Sequence, residues 1–194
     1  RGITRFKENQ VDKGLFDFDF YILNAKFFAN DNDKYTAFYH RGLLKAENGE
    51  FLEAINDMTE AVSINPQNPI PYVQRGNLHR LLGRPRLAIK DLDYAILLNY
   101  SGRDLYFYRG LSYIQTKNDA LALNDLNKFL DLSQNANQNR PIALLERGIV
   151  YYYLNNKEGA LDDLNQAIIL DPTLWKAYGF RGILLCNNED YFSG

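Results

Sequence analysis

The sequence predicts an all-α chain built from stacked helix–turn–helix repeats, and three observations support this. The dipeptide Arg-Gly recurs at intervals of 34, 34, 38 and 34 residues. Small and large apolar residues follow each glycine at fixed distances, and turn-forming residues lie between the apolar segments. A fixed period in this range is typical of supersecondary units that stack on their neighbours.

The repeated glycines predict where two helices of one repeat cross. They are Gly42, Gly76, Gly110, Gly148 and Gly182. An alanine follows each of the first four glycines by twelve residues, and Ala54 is the first of these. Helices that pack about 8–10 Å apart need small side chains at the crossing, so we expect Gly42 to face Ala54.

The first repeat illustrates the predicted elements. It predicts one helix from Tyr35 to Asn48, a break at Gly49 and a second helix from Phe51 to Ile64. Gly83 and Asn155 occupy the same position between helices as Gly49, where a left-handed backbone is useful.

The predicted repeat boundaries follow from the period. An incomplete final repeat suggests a fragment of a longer array, because a terminal repeat normally carries a polar capping element. The third repeat contains a four-residue insertion in the polar segment 133–139, which predicts a loop. The predicted repeats are 35–68, 69–102, 103–140, 141–174 and the incomplete 175–194.

Residues 1–34 are predicted to be a degenerate or partial repeat. Segment 15–29 fits a helix, whose shared apolar face would contain Phe16, Phe20, Leu23 and Phe27. The alternation of Phe and Asp in the same segment also fits a short strand, and we favour the helix.

On these residues the chain resembles the tetratricopeptide repeat family over about residues 35–187. The resemblance implies a right-handed α-α superhelix whose first helices line a concave, partner-binding face. Two departures are Phe129, in place of the second alanine, and the arginine that precedes each glycine. The matching spacing in the first repeat is that of Phe38, Gly42, Ala54, Met58, Ala61 and Pro66.

The repeated arginines are predicted to be structural. A partly buried guanidinium needs a charged partner, and four aspartates recur fifteen residues after the first four glycines. We therefore predict a ladder of Arg–Asp pairs in place of an anion-binding stripe. The pairs are Arg41 with Asp57, Arg75 with Asp91, Arg109 with Asp125 and Arg147 with Asp163.

Composition and motifs favour a binding protein over an enzyme. The net charge of −2 is the wrong sign for a protein that follows a phosphate backbone, so no nucleic-acid partner is expected. His40 and His79 lie too far apart in sequence for a metal motif, and Cys186 has no nearby histidine to activate it. No cofactor motif or membrane span is present.

The resemblance places candidate partner-binding residues on the first helices. The family's chaperone-binding members use a carboxylate clamp of Lys, Asn, Asn, Lys and Arg. The matching positions hold Tyr39, Leu43, Gln74, Asp104 and Tyr108, so clamp binding is not supported. The candidate binding residues are Tyr39, Leu43, Phe107, Leu111, Leu145, Ile149, Tyr152 and Tyr153.

Two functions remain open from the sequence. The first is a protein–protein interaction scaffold that forms part of a larger multiprotein assembly. The alternative is an adaptor that binds an amphipathic helix or an extended peptide with apolar anchors. Because a single cysteine suits a reducing compartment and no secretory signal is visible, a cytoplasmic location is expected.

Overall fold

The structure, a computed structural model, describes residues 2–24, 30–133 and 138–186, with side chains from residue 10 onward. These residues form ten α-helices and contain no β-strand. The chain divides into two compact units, Arg1–Ser101 and Gly102–Gly194. We call them unit 1 and unit 2.

Within each unit, helices that are consecutive in sequence pack against one another. Unit 1 contains α1 (Gly2–Asn24), α2 (Asp31–Glu47), α3 (Phe51–Ile64), α4 (Ile70–Leu81) and α5 (Pro85–Leu97). Unit 2 contains α6 (Arg103–Gln115), α7 (Asp119–Leu132), α8 (Arg140–Tyr153), α9 (Lys157–Leu170) and α10 (Trp175–Cys186).

Helix α2 begins four residues earlier than the repeat predicts. The side chain of Asn30 accepts a hydrogen bond of 2.9 Å from the backbone N–H of Asp33, which satisfies one free donor at the helix start. Asn30 is a residue type that often caps helices, but it is not part of the 34-residue pattern, so the repeat did not predict this earlier helix start.

The short turns between paired helices use a left-handed residue, as predicted. Gly49, Gly83 and Asn155 have φ values of 83°, 67° and 59°. Lys117 occupies the same position between α6 and α7 with φ of 58°. Lysine has no intrinsic preference for this conformation, so only its place seven residues after Gly110 indicates this fourth case.

The first four repeated glycines lie where paired helices cross. A Cβ atom on Gly76 would stand 2.9 Å from Leu92 Cγ and 3.2 Å from the carbonyl oxygen of Ala88. Gly182, in the incomplete final repeat, differs from them: nothing in the described ranges lies within 4 Å of a Cβ atom there. The described part of α10 has no second helix against this face.

Phe129 fills an alanine position without leaving the core. It is fully buried, and its ring centroid lies 5.0 Å from that of Phe107. The Phe129 ring therefore packs on Phe107 of α6, whose equivalents in the neighbouring repeats, Val73 and Leu145, are also buried.

Helix α1 confirms a helical start to segment 15–29, while residues 25–29, including Phe27, lie outside the described residues. Phe16, Phe20 and Leu23 share one side of α1, but that side is exposed, with the three residues 69%, 64% and 76% exposed. The partly buried face instead contains Val11, Gly14, Leu15, Phe18 and Ile22. With this face turned toward α2, helix α1 makes two contacts with it: Asp19 forms an ion pair with Arg41, and Phe18 stacks on His40.

Candidate partner-binding surface

The arginine before each of the first four repeated glycines forms a two-pronged ion pair with the aspartate sixteen residues later. Arg75 donates from Nε and Nη2 to the two carboxylate oxygens of Asp91, both at 2.8 Å. Arg147 makes the same pair with Asp163 at 2.7 and 2.6 Å. Arg41 pairs likewise with Asp57, and Arg109 with Asp125.

A further contact links Arg75 and Arg147 to the preceding second helix. The Nη1 of Arg75 donates to Thr59 at 3.1 Å, and that of Arg147 donates to Asn127 at 2.7 Å. Each acceptor stands two residues after the repeated aspartate of its own helix. The period could have revealed this polar position, but the sequence analysis did not select it.

Burial and ion pairing shift the pKa of the ladder arginines in opposite directions. Burial alone would lower the pKa of Arg147, but the hydrogen bonds and the charge of Asp163 outweigh burial and raise it. For Arg75 the hydrogen bonds to Asp91 are the largest influence and raise its pKa, although burial opposes them. These arginines therefore hold the helix pairs together and have few free donors for an anionic ligand.

In unit 1, the two candidate binding residues are half-buried packing residues. Tyr39 and Leu43 pack against the cluster formed by Ala54, Met58 and Leu78. Burial, and to a lesser degree Tyr100, raises the pKa of Tyr39. Only part of each side chain is therefore available for contact with a partner.

In unit 2, two of the predicted binding residues are not available to a partner. Phe107 and Leu145 are each only 4% exposed, so the expectation that they contact a partner is wrong. The physical reason is visible for Phe107, whose ring packs on Phe129. Leu111 and Ile149 are half-buried.

The two predicted tyrosines at the end of α8 differ from each other. Tyr153 is 67% exposed, whereas Tyr152 is half-buried. The ring of Phe180 in α10 meets Tyr152 edge to face at 5.3 Å and Tyr153 at 6.4 Å. Tyr153 is thus held in place by aromatic neighbours while most of its surface stays open.

Two neighbouring clefts lie beside these aromatic residues. One has a volume of about 480 Å³, the other about 370 Å³, and Ile149 lines both. The larger is lined by Ile114, Lys117, Asp119, Ile149, Val150 and Tyr153. The smaller is lined by Glu146, Ile149, Trp175, Lys176, Gly179, Phe180 and Ile183. We call the surface formed by both clefts the unit 2 groove.

The sequence analysis missed several residues of the unit 2 groove. Ile114 and Ile183 stand four and one residues after repeated glycines, at positions that the resemblance assigns to the concave face. Trp175 is the single tryptophan of the chain and is 75% exposed. It stands at the start of α10, at a position that the repeat pattern does not mark, so the sequence did not predict it as a binding residue.

The residues that the structure describes include no cluster of His, Cys, Asp and Glu that could hold a metal ion. None of the described helices is long and apolar enough to cross a membrane. What the unit 2 groove offers chemically is apolar and aromatic area beside charged side chains of both signs.

Comparison with known families gives a match over most of the chain. Three models of the tetratricopeptide repeat match residues 35–68, 73–139 and 141–174. The human "Tetratricopeptide repeat protein 13" is 30% identical over 132 residues, which are 68% of this chain and 14% of that protein. The human "Tetratricopeptide repeat protein 6" is 30% identical over 187 residues, or 74% of this chain and 35% of that protein. The chain therefore spans well under half the length of either relative.

Solved structures share the fold. MamA (residues 41 to the end) from Desulfovibrio magneticus RS-1 superposes with a TM-score of 0.71 at 20% identity, over 80% of this chain and 85% of that one. YrrB, described as a TPR protein with an unusual peptide-binding site, gives a TM-score of 0.67 at 17% identity, over 80% and 78% of the two chains. At these identities the likeness establishes the all-α repeat fold alone.

Proposed function

Because the chain belongs to the tetratricopeptide repeat family, we propose that it binds other proteins and catalyses no reaction, with the unit 2 groove as its main contact surface. The observation that carries this proposal is the pair of adjacent clefts that share Ile149 as a common wall. Two open, mainly apolar clefts side by side suit a ligand with two apolar anchors.

The aromatic residues of the groove support the same function. Tyr153, in the larger cleft, is 67% exposed and Trp175, in the smaller cleft, is 75% exposed, and large exposed apolar surfaces often mark interaction sites. Tyrosine and tryptophan also provide large contact areas at a small cost in side-chain entropy, which is why they often anchor interfaces.

The charges beside the groove define the class of partner further. Lys117 and Asp119 line the larger cleft, and Glu146 and Lys176 line the smaller one. Since the signs are mixed, the groove does not favour a strongly acidic tail. We propose an amphipathic helix or extended segment whose affinity comes from apolar side chains.

A peptide-selection experiment tests this proposal. Random peptides displayed on phage are selected on the 194-residue chain, and the selected peptides are titrated against the variants Tyr153→Ala and Trp175→Ala. Loss of an interface anchor costs about 2 kcal/mol or more, so affinity should fall at least about thirtyfold while the melting temperature stays unchanged.

The matched control is Leu97→Ala, which removes an apolar side chain that is 74% exposed on unit 1. It should leave the affinity of the selected peptides unchanged. If peptides bind Tyr153→Ala and Trp175→Ala as well as they bind the parent chain, the unit 2 groove is not the contact surface.

A role as a scaffold in a larger assembly is the second candidate, and the exposed apolar face of α1 favours it. Phe16, Phe20 and Leu23 form an apolar strip on α1 and line neither cleft of the unit 2 groove. Two separate apolar surfaces would allow two partners to bind together. Quantitative co-purification tests this proposal with two variants, the double substitution Phe16→Ser/Phe20→Ser and the single substitution Tyr153→Ala. Each variant should lose a different set of co-purifying proteins. If both variants lose the same proteins, the proposal is contradicted.

We also propose a cytoplasmic location. Its support is the use of a single cysteine, Cys186, which is free and exposed and suits a reducing compartment. Microscopy of the full-length protein, tagged at either end, tests this, and a secreted or luminal signal would contradict it.

A further inference from the structure

The start of α5 carries a cluster of positive charge. Residues 79–90 contain four arginine and lysine side chains and no aspartate or glutamate, although the whole chain has a net charge of −2. Arg84 stands directly before α5, and Arg86 and Lys90 follow in its first two turns. All three are exposed. We call the surface formed by Arg84, Arg86 and Lys90 the basic face of α5.

The repeat itself does not require these charges. The matching positions in the other three complete repeats hold no basic residue. They are Glu50, Leu52 and Asn56 for α3, Asn118, Ala120 and Asn124 for α7, and Asn156, Glu158 and Asp162 for α9. A cation that served the packing of the repeat would recur with the period, as the ladder arginines do. The basic face of α5 therefore has a cause that is particular to this repeat.

The basic face also opposes the stability of α5. Arg86 and Lys90 are four residues apart, a spacing that places like charges side by side on a helix. Arg84 and Arg86 stand at the helix N-terminus, where the helix dipole disfavours cations. Among the described residues, no carboxylate forms an ion pair with any of the three. Local features that cost stability without serving the fold are typical of functional surfaces.

The basic face is open because of its place in the repeat. Lys90 and Tyr94 of α5 correspond to Asn56 and Glu60 of α3. Those two residues are exposed as well, although α3 packs against both α2 and α4. The outer side of a second helix is thus exposed even where helices flank it on both sides.

Apolar side chains lie beside the cations. Leu87 is three residues before Lys90 and Tyr94 is four residues after it, so all three share one side of α5. Leu87 and Tyr94 are 47% and 40% exposed. This side of α5 therefore offers positive charge and apolar area together.

We propose that the basic face of α5 binds an acidic segment of a partner protein. The guanidinium groups of Arg84 and Arg86 suit carboxylates, which accept two parallel hydrogen bonds from one arginine, and Lys90 adds a further positive charge. An apolar side chain of the segment covers Leu87 and Tyr94. This apolar area and the net negative charge of the chain favour an acidic protein over a nucleic acid, whose backbone needs an extended basic surface.

The proposal goes beyond the unit 2 groove and does not depend on it. Arg84, Arg86 and Lys90 line neither cleft. Tyr153→Ala should therefore leave the binding of an acidic peptide unchanged, whereas it should weaken the peptides that bind the groove. The two proposals can fail separately.

Fluorescence anisotropy with a labelled peptide that repeats Glu-Glu-Leu tests the contact. The peptide should bind the 194-residue chain with a dissociation constant below about 1 mM at low salt. Affinity should fall at least about tenfold between about 0.05 and 0.5 M salt, because salt screens exposed charges. A peptide that repeats Gln-Gln-Leu should bind at least about tenfold more weakly, because it lacks the carboxylates.

Charge reversal locates the contact. Arg86→Glu/Lys90→Glu should lower the affinity for the acidic peptide at least about tenfold. Its melting temperature should rise, because the substitution removes like charges and places an acidic residue in the first turn of α5. The matched control is Arg103→Glu/Lys157→Glu, which reverses two exposed cations at the starts of α6 and α9. It changes the net charge equally and should alter the affinity less than about twofold.

Four results would each overturn the proposal. The acidic peptide does not bind below about 1 mM. The two charge-reversed variants lose affinity equally. Arg86→Glu/Lys90→Glu melts at a lower temperature than the parent, which would show that the cations serve the fold. Single-stranded oligothymidylate binds the basic face more tightly than the acidic peptide, which would identify a nucleic-acid surface.

Discussion

At the scale of single residues, buried aspartates hold the helix pairs because each accepts two hydrogen bonds from one arginine. Asp125 and Asp163 are each 1% exposed, a burial that an unpaired carboxylate would not tolerate. Aromatic rings contact the other side of the guanidinium groups; Arg75, for example, lies 5.5 Å from the ring centroid of Tyr72. The pairs thus specify how a first helix sits on its second helix.

Removing one carboxylate should be costly. In Asp163→Asn, the Arg147 guanidinium loses its counter-charge, and we expect the free energy of unfolding to fall by about 2–3 kcal/mol. The value lies below that for fully buried pairs because the Arg147 side chain is 19% exposed. Chemical denaturation measures the loss, and Asp162→Asn, at an exposed position on the same helix, should cost less than about 0.5 kcal/mol.

The left-handed lysine offers a stabilising substitution. Lys117 has φ of 58°, a conformation that costs a residue with a Cβ atom about 1 kcal/mol or more relative to glycine. Lys117→Gly should therefore raise the free energy of unfolding by about 0.5–1 kcal/mol. Lys117→Ala removes the same charge but keeps the Cβ atom, so a gain of similar size in that variant would contradict the explanation.

One half-buried histidine, His79, makes stability depend on pH. Burial lowers the pKa of His79, and nearby Arg75 and Arg84 lower it further, against a rise from Asp91. In the unfolded chain the pKa of His79 is about 6.5, so His79 binds a proton more readily there than in the folded protein. Stability should fall as the pH drops below about 6.5, by the linkage of protonation to unfolding.

Urea denaturation from pH 7.5 to 5.5 measures this effect. His79→Gln should show a weaker loss of stability over that range than the parent chain. The matched control is His40→Gln, because His40 is the other histidine and is exposed. Equal pH dependence in His79→Gln and the parent would contradict the prediction.

At the scale of the helix, the same glycine has opposite roles in a complete and an incomplete pair. Gly76→Ala forces a Cβ atom to within 2.9 Å of Leu92 and 3.2 Å of the Ala88 carbonyl oxygen. Overpacking of this kind costs about 1–3 kcal/mol. Gly182→Ala meets open space and gains about 1 kcal/mol of helix propensity.

Thermal melting of the two variants should therefore give shifts of opposite sign. Gly76→Ala lowers the melting temperature, and Gly182→Ala raises it. If Gly182→Ala instead lowered the melting temperature, the space over Gly182 would not be open, and the prediction would be wrong.

The end of α7 shows how an element compensates for a missing repeat residue. Gln134, which lies outside the described residues, stands where the first and fourth repeats have proline, and Ser133 is the last described residue before it. Arg140 Nη1 donates to the carbonyl oxygens of Leu130 and Ser133 at 3.0 and 2.8 Å. A cation at a helix C-terminus satisfies free carbonyl groups and interacts favourably with the helix dipole.

At the scale of the whole molecule, the near-neutral charge predicts how partners bind. With a net charge of −2 and an apolar groove, affinity should depend weakly on salt, changing less than about threefold between 0.05 and 0.5 M. Burial of apolar surface should give a negative heat-capacity change. Calorimetry of a selected peptide measures both quantities, and a steep loss of affinity with salt would indicate that charges carry the interaction.

The sequence by itself determined the repeat and the pairing of its helices. Arg75 and Asp91 stand at fixed positions in a period of 34 residues, and a constant helix geometry turns constant spacing into constant contact. The same reasoning located the crossing at Gly76 and the left-handed turn at Gly49. These features are local or repeat between neighbours, so a linear pattern is enough to specify them.

The exposure of the aromatic residues follows from tertiary packing and could not be predicted from the repeat. Phe107 and Tyr153 both stand at positions that the resemblance assigns to the concave face, yet Phe107 is buried against Phe129 and Tyr153 remains open beside Phe180. The face of α1 was likewise decided by Arg41 and His40 of the next helix, which hold Asp19 and Phe18. Exposure depends on the volumes and charges that neighbouring helices supply, and the spacing along one helix does not contain that information.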